Sequence, residues 1–110
     1  MKRSWMWALL VVLVLSSAIW VAAAGDAKAG KAVYTAKCAM CHGPNGEGKE
    51  AIGKAMGTTM RDLGSKEVQA KSDDQLKKDA TEGVSKMKPV KLADKDADDV
   101  VAFIRTLAKK

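Results

Sequence analysis

Cys38-Ala39-Met40-Cys41-His42 constrains this chain more than any other stretch of it. Cys-x-x-Cys-His is the pattern through which a c-type haem is attached. Two thiols three positions apart add to the two vinyl groups on one edge of a porphyrin, and the thioethers hold the ring covalently. The adjacent imidazole then reaches the iron from one face, its other ring nitrogen normally held by an acceptor behind it. Two rival readings fail on counts. A structural zinc site needs four nitrogen or sulfur ligands, and the chain has two cysteines and one histidine. A thioredoxin-like dithiol follows a strand in a βαβ pattern, and no such pattern is present. A disulfide between the cysteines would leave the neighbouring histidine unexplained. Because His42 is the one histidine, ligation by two imidazoles is excluded.

The second informative stretch is Gly83-Val84-Ser85-Lys86-Met87-Lys88-Pro89. An iron with one imidazole ligand has an open sixth position, and a methionine thioether is the usual partner in electron-transfer haems of this type, where it raises the potential. Met87 is the candidate. Met40 lies between the attachment cysteines, too close to cross to the far face of the ring. Met56 and Met60 lie in a polar, glycine-containing stretch that packs beside the haem in this reading, and Met60 is the rival ligand. An amine from Lys86 or Lys88 is a more remote one.

With these residues the chain resembles the class I cytochromes c, in their small bacterial, periplasmic form, over about residues 26–108. The resemblance implies an all-α cytochrome c fold, three to four short helices packed around one covalently attached haem c. It implies Cys38 and Cys41 as attachment residues, His42 as proximal iron ligand and Met87 as distal ligand. Gly30 and Tyr34 sit eight and four residues before Cys38, where the family places a glycine and an aromatic in its first helix. In the family that glycine permits a close crossing with the last helix, here residues 99–107. Two departures stand out. The family commonly has proline directly after the ligand methionine, whereas Lys88 precedes Pro89 here. The family often holds the proximal imidazole with a proline carbonyl, and residues 53–64 contain no proline, so the acceptor behind His42 goes unnamed.

The amino-terminal stretch reads as a targeting segment. Lys2 and Arg3 precede an uncharged run over residues 4–24 that ends Ala22-Ala23-Ala24-Gly25, the order of a signal peptide with a small-residue cleavage site. Residues 1–24 are thus expected to be a signal peptide cleaved after Ala24, and residues 25–110 the cytochrome c domain. The alternative is an uncleaved anchor, since about 20 residues span a bilayer and Trp5, Trp7 and Trp20 suit its interfaces. Cleavage places the domain in the periplasm, and retention places it on the outer face of the cytoplasmic membrane.

All three tryptophans fall in that leader, leaving Tyr34 and Phe103 as the aromatics of the domain. Such a thin core in so small a chain needs a staple, which the haem provides as a large apolar plate. The haem-free chain is therefore expected to lack fixed tertiary structure. Asp26 is positioned to cap a first helix running into the haem motif, with Ala27, Gly30, Val33, Tyr34 and Cys38 at helical spacing. Residues 43–64 read mainly as loop. Ser72-Asp73-Asp74 opens a helix reaching about Thr81, and Gly83 stops it. The acidic run over residues 94–99 opens the last helix, whose apolar stripe is Ala97, Val100, Val101, Ile104, Leu107 and Ala108. Carboxylates in a first turn are favoured by the helix dipole, which accounts for the run without a docking role. Strand signals and internal repeats are absent.

The whole chain carries a net charge of +6. Removal of Lys2 and Arg3 with the leader leaves about +4, and haem propionates lower that towards about +2. So modest a charge argues against nucleic-acid binding. Lys37 and Lys49 flank the haem motif, Lys54 follows, and Lys86 and Lys88 bracket Met87. Such a rim would steer an acidic partner into a short-lived complex; ordinary solubilising lysines are the equal alternative. The expected function is one-electron transfer between extracytoplasmic redox proteins, one of them a membrane oxidoreductase in one version, with no substrate chemistry and hence no enzyme. The rivals are a haem enzyme or gas sensor with an open distal site, and a dedicated cytochrome subunit of a larger oxidoreductase. Arg61, beside Met60, is the feature that favours an enzyme, and no second histidine supports one.

Overall fold

The computed structural model describes residues 25–109. The signal peptide or anchor expected over residues 1–24 lies outside them. Among the described residues six helical segments follow one another: α1 (Ala27–Lys37), α2 (Ala39–His42), α3 (Glu50–Met56), α4 (Lys66–Gln69), α5 (Asp73–Glu82) and α6 (Asp94–Thr106). The described chain is all-α, as expected. The count exceeds three to four because α2 and α4 are single turns and α3 went unforeseen.

Local chemistry sets most helix ends. The Asp26 carboxylate accepts from the backbone N–H groups of Lys28 (2.9 Å) and Ala29 (3.3 Å), satisfying donors that the first turn leaves free. Ser72 does the same for α5 through Gln75 N–H (3.1 Å), and Ser65 for α4 through Val68 N–H. Gly83, at φ +85°, ends α5. In α3 two helix-weakening signals hid the element. Its first turn has no side-chain cap, and Gly53 interrupts it. Gly53 is there for packing: a Cβ on it would stand 2.7 Å from the Thr58 carbonyl oxygen and 3.1 Å from Met60 Cγ.

α1 and α6 cross closely at Gly30, where a Cβ would fall 1.8 Å from the Asp99 carbonyl oxygen. Beside the crossing, the rings of Tyr34 and Phe103 lie 4.9 Å apart at 51°, within the range of favourable tilted pairs. The core cluster is Val68, Leu76, Val100, Val101 and Ile104, with Val33, Leu63 and Leu92 against it. Ala97, Val100, Val101 and Ile104 of the expected stripe are buried; Leu107 is half-buried at the helix end and Ala108 is exposed, because α6 stops at Thr106.

Asp99 corrects the reading of the acidic run. It lies beyond the first turn, buried, and accepts from Asp26 N–H (2.8 Å) and from Lys95 Nζ (2.8 Å), so it ties the start of α1 to α6. The Lys95 hydrogen bond, followed by that from Asp26, holds its pKa below the usual carboxylate value. Arg105 ties α6 to the α4–α5 turn, donating to the carbonyl oxygens of Gln69 (2.8 Å) and Lys71 (2.6 Å) and to the Asp73 carboxylate (2.9 Å). Among the described residues the β structure is one isolated bridge, Val84 with Met87, and no helix is long and apolar enough to cross a membrane.

Candidate haem site

α1 runs into α2 at Cys38, whose N–H donates to the Tyr34 carbonyl and whose own carbonyl accepts from His42 N–H (3.0 Å). That single turn places Cys38, Cys41 and His42 on the wall of one cavity of about 460 Å³, within the range of cofactor sites. Gly43, at φ +81°, ends the turn, and its carbonyl accepts a buried hydrogen bond from Tyr34 Oη (2.5 Å). The phenol is pushed up to about 12, by burial first and then by the charges of Cys38 and Glu47.

The floor of the cavity is the core itself, because Val68, Leu76, Val100 and Ile104 belong to both. A second wall is the turn from Val84 to Met87, and a third comes from Met56 and Met60. The structure thus brings Met87 to the same cavity as His42, and brings Met60 and Met56 there too. Met40 is 77% exposed, in keeping with its exclusion as a ligand. Arg105 is committed to the α4–α5 turn, whereas Arg61 borders the cavity, exposed and without an ion-pair partner among the described residues.

The donor set suits a haem. Burial lowers the pKa of His42, which favours the neutral imidazole that binds a metal. Its Nδ1 is the one buried side-chain nitrogen or oxygen without a hydrogen-bond partner among the described residues. That agrees with the lack of a proline carbonyl in the expected place. Burial, then the neighbouring Cys41, raises the pKa of Cys38, and both cysteines are free thiols. Among the described residues no group of three or more His, Cys, Asp or Glu side chains is arranged to hold a metal ion.

Sequence reasoning missed one ion pair here. Lys71 and Asp79 both border the cavity and are joined by a hydrogen bond of 2.9 Å, with Asp79 also accepting from Gln75 (2.7 Å). Their spacing has no helical signature, since Lys71 precedes α5 and Asp79 lies in its second turn, so nothing in the sequence marked the pair.

The family model for cytochrome c matches residues 27–108. The chain is 37% identical over 90 residues to cytochrome c-554(547) of Halothiobacillus neapolitanus, across 76% of this chain and 99% of that protein. Its fold is similar to that of the c-type cytochrome KustC0563, with a TM-score of 0.62 and 27% identity over 73% of this chain and 98% of the other. With the haem motif lining a cavity floored by the core and a family match spanning the described domain, the chain belongs to the cytochrome c family, as a small electron carrier with covalently bound haem c.

Proposed function

We propose that the chain is a periplasmic monohaem cytochrome that passes single electrons between redox proteins, with the haem attached through Cys38 and Cys41 and the iron held by His42 and Met87. The observation that carries the reading is the convergence of Cys38, Cys41, His42 and Met87 on one cavity. The bound haem supplies the reversible one-electron change at iron. The residues do the rest. His42, kept neutral by burial, presents a metal-binding imidazole. Val68, Leu76, Val100 and Ile104 exclude water from the ring face. Arg61, without a carboxylate partner, is the cation best placed to compensate haem propionates.

The docking surface is formed by exposed apolar side chains with cations around them. Met40 and Val84 are the large exposed hydrophobics among the described residues, one within the attachment motif and one on the Met87 turn. Lys37, Lys49 and Lys88 are exposed and make no ion pair with a described residue, which suits an acidic partner, soluble or membrane-bound. Cleavage after Ala24 would release the domain; a retained leader would anchor it.

The test is carbon monoxide binding to the reduced holoprotein at neutral pH. No binding is expected, because a thioether occupies the sixth position. Rapid stoichiometric binding would overturn the assignment in favour of a haem enzyme or sensor with an open distal site.

A further inference from the structure

Lys86 precedes Met87 in the chain, yet its side chain does not extend freely into solvent. Its Nζ donates to two backbone oxygens, Met56 O and Gly57 O, each at 3.0 Å. These oxygens stand at the end of α3, where Gly57 adopts φ +67° and leaves the last carbonyls of the helix without intrahelical donors. Met56 lines the same cavity as Met87. The ammonium therefore joins two walls of the cavity that are thirty positions apart in the chain.

The turn that carries Met87 has little else of this kind. Its base is fastened to α5 by Val90 N–H to Ala80 O (3.0 Å), and the turn closes on itself by Met87 N–H to Val84 O (2.9 Å). Ser85, at φ +53°, is the one non-glycine residue with positive φ among the described residues, a conformation with a cost that surrounding contacts must offset. Among the described residues, the two Lys86 hydrogen bonds are the only ones that tie residues 84–87 to another element.

We propose that Lys86 is a positioning residue, a clamp that holds the Met87 turn against the end of α3 and so keeps the thioether at the iron. The inference rests on Met87 being the distal ligand. Its effect is largest in the oxidised protein, because a soft thioether binds the harder ferric iron less firmly than the ferrous one. The clamp acts through geometry, not charge alone. Lys88, two residues on, is exposed and makes no ion pair with a described residue, so it serves as the charge control.

The experiment compares the unsubstituted holoprotein with Lys86→Gln, Lys86→Arg and Lys88→Gln. The ferric form is titrated with alkali, following the far-red charge-transfer absorption of thioether-ligated ferric haem, and thermal unfolding of the ferrous form is measured alongside. The expected result is that Lys86→Gln loses the methionine signature about one pH unit below Lys88→Gln, a tenfold change in the ligation equilibrium. Lys86→Arg should restore much of the difference, and ferrous unfolding should match in the two glutamine variants. Equal titrations for Lys86→Gln and Lys88→Gln would overturn the clamp while leaving Met87 as ligand. Absence of the methionine signature from the unsubstituted protein would overturn the ligand assignment and the clamp with it.

Discussion

Gly30 and Asp99 are in contact through backbone alone: a methyl group on Gly30 would have its carbon 1.8 Å from the Asp99 carbonyl oxygen. No rotamer relieves such an overlap, because the obstructing atom is main chain of α6. The crossing of α1 and α6 therefore depends on one missing Cβ, and α1 carries the haem motif at its end.

Gly30→Ala should accordingly destabilise the holoprotein by about 3 kcal/mol or more, despite a gain of about 1 kcal/mol in helix propensity. Denaturant unfolding of the ferric protein measures it. A cost below that of an ordinary surface substitution would show that the helices can separate freely.

The Asp99 carboxylate supplies a pH-dependent part of the same junction. Its pKa is depressed in the folded protein, so its stabilisation is present above 3.8, the ordinary carboxylate value, and is lost as pH falls through the lower folded value. Asp99→Asn should therefore lower the unfolding temperature at neutral pH, and the gap to the unsubstituted protein should close in strong acid. A gap independent of pH would mean that the hydrogen bonds act without the charge.

Tyr34 makes the opposite prediction at high pH. Its phenol is pushed up to about 12 from 10.0, so the folded state holds the proton more tightly. Its contribution is complete below 10.0 and is lost as pH rises towards about 12. Tyr34→Phe removes the hydrogen bond to Gly43 O, should cost about 1 kcal/mol at neutral pH, and should flatten this alkaline loss. Stability curves recorded by circular dichroism across that range decide it.

Covalent attachment should depend on both thiols. Cys38→Ala or Cys41→Ala should leave one thioether, visible as an altered haemochrome spectrum. The double variant should yield no haem that survives denaturing electrophoresis. Haem retained covalently by the double variant would refute the attachment sites.

The cavity floor and the core share Val68, Leu76, Val100 and Ile104, so haem-free protein leaves these side chains facing an unfilled space. Each is worth about 1.5–3 kcal/mol when fully buried. The haem-free chain should retain some helix but show no cooperative thermal transition by calorimetry. A sharp transition would show that the core closes without the haem.

Much of this was legible along the chain. The haem motif, the Asp26 and Ser72 caps, the Gly83 stop and most of the α6 stripe are local signals, because each rests on residues within a few positions of one another. Three features were not. α3 was masked by Gly53, a residue that weakens a helix locally and is kept for its contact with Thr58 and Met60. Asp99 read as one of several acids in a run, and only the arrival of Asp26 N–H beside it distinguishes it from its neighbours. Nothing beside Arg105 in the chain marks its acceptors, which the α4–α5 turn supplies from more than thirty positions away.

The sequence alone marked Cys38, Cys41 and His42 as the candidate haem-attachment motif, since thiol and imidazole chemistry at fixed spacing admits little else. It also determined that the fold is helical. Which methionines face the haem cavity, what secures the Met87 turn, and why Gly30 must lack a side chain were decided by tertiary structure. These depend on segments distant in sequence, brought together by burial of a common apolar surface, and no local pattern encodes which atoms will then be neighbours.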